Sequence, residues 1–315
     1  MMYLWLLIGF FCLVKGADLF VDGSAAIAKI LNVPTVIIGL TIVAFGTSAP
    51  EAAVSIMASL SGNNDIAISN VIGSNMFNSM VVIGVCGAIL PMKIQQGIIR
   101  KEMPFSILIT ILLVICMMFT GKSGSLGISR MEGLILLFLF VLFVGVQIKA
   151  ALGTRIIRTE EENIGKKLTL PMSIVYSVAG LVMIIVGGKL VVDSASQIAA
   201  AFGMSQTLIG LTIVAIGTSL PELVTSVVAA AKGENDLAMG NVVGSNIFNI
   251  LLIVGMSASI SPLAISPEAI YDGIILLVMS VLLYFMARRD GRISRGEAIS
   301  LLVLYGGYTA YIIMR

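Results

Sequence analysis

Residues 41–84 and 212–255 are two copies of one segment. The first reads TIVAFGTSAPEAAVSIMASLSGNNDIAISNVIGSNMFNSMVVIG and the second TIVAIGTSLPELVTSVVAAAKGENDLAMGNVVGSNIFNILLIVG. They align without a gap at an offset of 171 (212 − 41), with about half of the positions identical. The register holds upstream as well, where Gly16 matches Gly187, Asp22 matches Asp193 and Gly39 matches Gly210. A chain written this way is a duplicated unit, and its fold must accommodate that unit twice.

The solvent of that fold follows from composition. Of 315 residues, 58% are hydrophobic and 11% charged, with a mean hydropathy of +1.07. A soluble domain carries about 25% charged and 45–50% apolar residues. Ten apolar stretches lie at 2–20, 33–60, 66–90, 105–119, 130–152, 171–193, 206–231, 237–260, 269–287 and 298–314. Most reach the roughly 20 residues that a helix needs to cross the hydrocarbon core. The expected fold is an all-α membrane protein of ten transmembrane helices in a lipid bilayer. It divides into a five-helix repeat (1–152), a polar linker (153–170) and a second five-helix repeat (171–315). Five is odd, so the second copy enters the bilayer from the opposite side. Such inverted repeats are an architecture of secondary transporters, with the binding site near the midplane. Here helices two, three, seven and eight would meet there.

Sidedness comes from the basic residues. With the N-terminus outside, Lys15, Lys29, Lys93, Arg100, Lys101, Lys149, Arg155, Arg158, Lys166, Lys167, Lys232, Arg288, Arg289, Arg292 and Arg295 face the cytoplasm. Lys122, Arg130, Lys189 and Arg315 face out. The split is 15 to 4, a strong positive-inside bias. The expectation is a multi-pass protein of the cytoplasmic (inner) membrane, with both termini outside and the linker Thr154–Lys167 in the cytoplasm. The segment from Met1 has no charge before Lys15, so it reads as a retained first helix and not as a signal peptide. Cys12, Cys86 and Cys116 lie in apolar runs and read as packing residues. The chain has no histidine, which removes the commonest zinc ligand and general base. Basic residues scattered over loops give no nucleic-acid surface.

Polarity inside the repeats is concentrated where lipid penalises it. Glu51 and Glu222 read as the two acidic residues in the middle of apolar spans, and such residues mark function by default. Each follows a proline (Pro50, Pro221) and a Gly-Thr-Ser triplet. Proline lacks an N–H and disrupts the ladder, freeing the carbonyls of Gly46 and Gly217, with a bend that can expose those of Ala44 and Ala215. Ser48 and Thr47 lie three and four residues before Glu51, on its helix face. Ser74 with Asn78, and Ser245 with Asn249, are four apart and share faces in the same way. The result is a cluster of oxygens, which hard cations such as Na+ and Ca2+ prefer. Without sulfur or imidazole it does not suit Zn2+ or Cu+. Two carboxylates balance one Ca2+ or two Na+, so a filled site can be occluded while an empty one resists it.

Some neighbouring polar and glycine residues carry more than one reading. Asn75 and Asn246 sit about 100° from Ser74 and Ser245 and serve either as ligands or as structural hydrogen bonders. Gly73 and Gly244 read as packing positions. Asp18, Asp22 and Asp193 read as helix-end residues paired at the interface, near Lys15 and Lys189.

The motifs GTSAPE with GSNMFN and GTSLPE with GSNIFN resemble those of the sodium/calcium exchanger family, within the cation/calcium exchanger superfamily. The small prokaryotic calcium/sodium antiporters are the nearest type, and the resemblance spans essentially the whole chain. It implies that Glu51 and Glu222 are the principal ligands. Thr47, Ser48, Ser74 and Asn78 would join them from the first repeat, and Thr218, Ser219, Ser245 and Asn249 from the second. The carbonyls of Ala44 and Ala215 are implied as sodium ligands. The implied activity is Na+/Ca2+ antiport by a monomer with no cofactor, Na+ and Ca2+ being the transported ions. Potassium-dependent relatives have aspartate at Asn249, aspartate in place of Glu222, and Gly-Gly-Ser in the first repeat. This chain has none of these, which implies potassium independence. Proton/calcium or other divalent antiport is the alternative within the class, although its Gly-Asn-x-x-Glu motif is absent. An intramembrane enzyme using two carboxylates, or a cation channel, would leave the inverted duplication and the hydroxyl and amide shell unexplained.

Overall fold

The computed structural model describes residues 2–118, 126–153, 168–204, 213 and 215–314. Twelve helices are labelled here in chain order: α1 Met2–Ile30, α2 Thr35–Thr47, α3 Ala49–Leu60, α4 Asn64–Ile89, α5 Ile98–Met118, α6 Arg130–Gly153, α7 Leu170–Ala201, α8 Ala215–Thr218, α9 Leu220–Ala231, α10 Asn235–Ile260, α11 Pro267–Asp290 and α12 Arg295–Met314. Among the described residues, eight helices are long and apolar enough to span a membrane. The broken pair α2–α3, bent by 49°, makes a ninth if counted as one span. The expected span 206–231 is described only in its second half, as α8 and α9. The linker Thr154–Lys167, the positions Gly210 and Thr212, Lys122 and Arg315 lie outside the described residues.

The breaks sit where proline dictates. Pro50 and Pro221 occupy the first turns of α3 and α9, and the preceding Ser48 and Ser219 leave the helical region at φ −81°, ψ 5° and φ −91°, ψ 6°. Proline's ring crowds the carbonyl four residues back and supplies no N–H, so the ladder stops there. Glu51 and Glu222 are therefore not mid-helix residues as expected. Each lies in the first turn of a half-helix.

The central and peripheral helices differ in burial. In α4 and α10, 72% and 94% of the apolar window is buried within the protein, against 11–39% for the other long helices. The outer helices turn Leu7, Phe11, Phe138, Val141, Val178 and Val303 outward. That is the arrangement expected where the surroundings are hydrocarbon.

The longest helices, α1 and α7, pack along each other over most of their length. Gly9, Gly16 and Gly23 recur every seven residues on α1, where a Cβ would come within 3.0 Å of α7. From the other side, a Cβ on Gly180 would lie 2.5 Å from the Phe20 nitrogen. Small residues at seven-residue spacing let two backbones approach along a continuous seam. Both helices overrun the expected 2–20 and 171–193. The polar turn of α1 is held instead of ending: Lys232 Nζ lies 2.6 Å from both Asp18 and Asp22. These aspartates thus lie within α1, and their main partner is Lys232, with Lys15 secondary at 3.6 Å from Asp18.

Two short antiparallel bridges tie the halves of the chain. β1 (Met92–Lys93) pairs with β4 (Arg292–Ile293), and β2 (Gly127–Ile128) pairs with β3 (Leu263–Ala264). The remaining ends carry strong local signals. Ser129 with Glu132, and Ser294 with Glu297, form reciprocal capping boxes that start α6 and α12. Each contributes about 1 kcal/mol to fixing its entry point. Cys12, Cys86 and Cys116 are free thiols.

Candidate ion-binding site

The two helix breaks face each other across the centre of the bundle, and their side chains exchange partners. Ser48 donates to Glu222 Oε1 at 2.9 Å, and Ser219 donates to Glu51 Oε1 at 2.9 Å. Each carboxylate oxygen accepts a second, longer bond from its own half: Ser74 to Glu51 at 3.4 Å and Ser245 to Glu222 at 3.4 Å. Both carboxylates are fully buried. Their place in a first helical turn is favourable, because the positive end of the peptide dipoles stabilises a carboxylate there by about 0.3–1 kcal/mol or more when buried.

The other half of each group is open. Glu51 Oε2, Glu222 Oε2, Asn78 Oδ1 and Asn249 Oδ1 are buried and accept no hydrogen bond among the described residues. A buried acceptor left without a partner costs about 1–3 kcal/mol, so such an oxygen favours a ligand that supplies positive charge. All four are oxygens, two of them on carboxylates. A hard cation satisfies such atoms directly.

Asn78 and Asn249 stand at a second kind of irregularity. Each begins a π-helical turn, Asn78–Val82 in α4 and Asn249–Val254 in α10. Such turns are frequent at functional positions because they re-aim side chains within a helix. Asn249 Nδ2 donates to Ser74 Oγ at 3.2 Å and to Asn75 Oδ1 at 2.9 Å. Asn78 Nδ2 donates to Asn246 Oδ1 at 3.3 Å. The oxygens of both ligand candidates are thereby the free ends.

Most sequence-derived site residues come together here. Thr47 Oγ1 lies 3.0 Å from Asn241 Oδ1 and 3.5 Å from Ser245 Oγ, and Ser74 Oγ lies 3.0 Å from Ser219 Oγ. Thr218 is buried in the last turn of α8. Ala44 lies in the last turns of α2, but its carbonyl already accepts the Ser48 N–H at 3.0 Å. The Thr47 hydroxyl also lies 3.4 Å from that oxygen, so the bend does not free the Ala44 carbonyl. Ala215 opens α8, and its side chain lies outside the described residues. Gly244 packs tightly, with a would-be Cβ 2.7 Å from Ala44 Cβ, whereas Gly73 meets nothing within 4 Å and is not a packing position.

Sequence reasoning missed the supports behind the site. Asn70 Nδ2 reaches Ser55 Oγ at 2.9 Å and the Glu51 carbonyl at 3.4 Å. Asn241 Nδ2 reaches Ser226 Oγ at 2.9 Å and the Glu222 carbonyl at 3.5 Å. The four supports are buried or part-buried and brace the first turns that carry the carboxylates. Their signal was present, since Asn70 and Ser55 recur unchanged at the 171 offset as Asn241 and Ser226.

Known proteins are similar to this chain over nearly its whole length. CaxA of Alkalimonas amylolytica is 39% identical, with 97% of this chain and 96% of that one covered. The sodium/calcium exchanger MaX1 of Methanosarcina acetivorans is 32% identical, with 96% of each chain covered. The solved sodium-calcium exchanger NCX_Mj superposes with a TM-score of 0.85 at 32% identity, covering 98% of this chain and 99% of that chain. Residues 1–149 and 172–314 match the sodium/calcium exchanger protein family, and the chain is a member of it.

Proposed function

We propose that this protein is a secondary antiporter that exchanges Na+ for Ca2+ by alternating access. The observation that carries this reading is the set of four buried, unpartnered oxygens on Glu51, Glu222, Asn78 and Asn249. Two carboxylates and two amides supply a charge of −2, and one oxygen of each carboxylate meets no donor among the described residues. One Ca2+ or two Na+ neutralise that charge, and only a neutralised site passes cheaply through an occluded state in a low-dielectric core. Ligation extends to Thr47, Ser48, Ser74, Thr218, Ser219 and Ser245, with the Ala44 and Ala215 carbonyls as sodium ligands. The negative C-terminal end of α2, where the Ala44 carbonyl lies, suits a cation. The names of MaX1 and NCX_Mj, both sodium/calcium exchangers, support the choice of ions.

Alternating access rests on a two-fold design: residues 1–152 and 171–315 as inverted five-helix repeats, with the ions at the midplane and 153–170 as a cytoplasmic linker. Exchanged contacts support it, since Ser48–Glu222 and Ser219–Glu51 are mates under the 171 offset. The basic residues favour a cytoplasmic-membrane protein with both termini outside, and the polar site lies within one chain, as a monomer requires. More than two Na+ per Ca2+ makes the cycle electrogenic. The neutral Asn249 leaves no third charge for a co-transported K+.

The test is radioactive calcium uptake into proteoliposomes loaded with sodium, with and without an outward sodium gradient. Uptake should require the gradient. Uptake that ignores sodium and follows an imposed pH gradient overturns the ion assignment, and uptake without any counter-ion makes the protein a channel.

A further inference from the structure

Asn75 and Asn246 lie beside the site, yet all of the polar groups by which they could bind an ion are turned elsewhere. Asn75 Oδ1 accepts from Asn249 Nδ2 at 2.9 Å, while Asn75 Nδ2 donates to the main-chain oxygen of Asn246 at 3.2 Å. Asn246 Oδ1 accepts from Asn78 Nδ2 at 3.3 Å, while Asn246 Nδ2 donates to Ser79 Oγ at 2.9 Å. Resting on the antiport reading above, we infer that Asn75 and Asn246 are positioning residues for the ions. Each holds the amide across the repeat interface, Asn249 or Asn78, with its oxygen turned to the cation.

An amide side chain is nearly symmetric in shape but not in chemistry. Rotated by half a turn, Asn249 would present two N–H donors to the ion in place of an acceptor. Nothing in the shape of a pocket prevents that rotation; only the donors and acceptors around the amide do. Asn249 Nδ2 meets two acceptors, Ser74 Oγ and Asn75 Oδ1, so the flipped state would set oxygen against oxygen at Asn75. Asn75 cannot relieve this by turning itself, because its own Nδ2 faces a carbonyl, which only accepts. The orientation at Asn249 is therefore locked by a chain of obligate acceptors.

The two halves differ here. Asn246 leans on a hydroxyl, and Ser79 Oγ both donates and accepts. Asn246 can turn over and keep a bond to Ser79, so Asn78 is held less firmly. The 171 mate of Ser79 is Ile250, which offers no such partner to Asn75. The ligand amide of the second repeat is thus fixed more rigidly than that of the first.

The experiment measures calcium half-saturation and maximal rate of sodium-driven uptake in proteoliposomes. The variants are Asn75→Leu, Asn249→Ala, their combination, and Ser79→Ala. Losing the acceptor at Asn75 lets the Asn249 amide sample the wrong face. Asn75→Leu should therefore raise the calcium half-saturation by about tenfold, with the maximal rate within about twofold of wild type. In the Asn249→Ala background the same substitution should add nothing, because Asn75 acts through the amide that is gone. Ser79→Ala should raise half-saturation less than Asn75→Leu does. If Asn75→Leu yields no folded protein, Asn75→Ser is read by the same criteria. An unchanged half-saturation with a reduced maximal rate, or an effect that persists undiminished in the Asn249→Ala background, shows a merely structural role and overturns the inference. Absence of sodium-driven uptake in the wild type would instead overturn the antiport reading on which it rests.

Discussion

Glu51→Gln separates the charge of the site from its shape. Glu51 Oε1 accepts from Ser219 and Ser74, and the amide oxygen of glutamine keeps both bonds by taking its place. The new Nε2 then falls where Oε2 lay, at the open position of the carboxylate. A cation there loses a charged ligand and meets a donor. A unit charge pair at 4 Å in an effective dielectric of about 20 is worth about 4 kcal/mol, and a divalent ion doubles this to about 8. Relief of the carboxylate's desolvation returns part of that sum. A net loss of about 4 kcal/mol is about a thousandfold in affinity. Sodium-driven calcium uptake should fall below detection in protein that still runs as a single monodisperse species. Heat stability should move the other way: without ions the variant should melt above wild type, because one of two buried charges is gone. Calcium at a hundred times its dissociation constant stabilises a binding protein by about 2.7 kcal/mol, so wild type should show a clear thermal shift with calcium and the variant none. Glu222→Gln should behave alike, given its mirrored partners Ser48 and Ser245. Near-normal uptake, or a calcium-dependent shift retained in either variant, would refute the assignment of the carboxylates.

Three further expectations follow from the same reasoning. Single cysteines near Glu161 should be shielded from impermeant reagents in intact cells and one near Arg315 labelled; the reverse pattern overturns the proposed sidedness. Sodium-driven calcium uptake should be equal in potassium and choline buffers at a clamped potential, yet change with the clamped voltage. Stimulation by potassium contradicts the reasoning from Asn249, and indifference to voltage points to an electroneutral cycle. Gly180→Ala should lower thermal stability and uptake together, since its Cβ would enter 2.5 Å from the Phe20 nitrogen and force α1 and α7 apart. An unaffected variant would mean that this seam is loose.

The sequence by itself determined the solvent, the duplication and the identity of the polar residues that interrupt the apolar helices. These are local properties. A run of about 20 apolar residues declares a span wherever it lies, and Glu51, Ser48 and Thr47 share a face because three and four residues make a helical turn. Proline after Gly-Thr-Ser marked the break, although not that Glu51 would open a new half-helix and gain its dipole. Partner choice was a different matter. Ser48 serves Glu222, 174 positions away, and Ser219 serves Glu51, 168 positions away. Lys232 claims Asp18 and Asp22 where proximity in sequence had suggested Lys15. Asn75, whose spacing left ligation and support equally open, proved to be engaged at both ends of its amide. Helical periodicity states which way a side chain faces but not what stands opposite. A hydrogen bond between helices depends on the relative height and rotation of two cylinders, and packing of the whole bundle sets both. Only the tertiary structure could therefore decide which oxygens of the cluster are tied to the protein and which are left open.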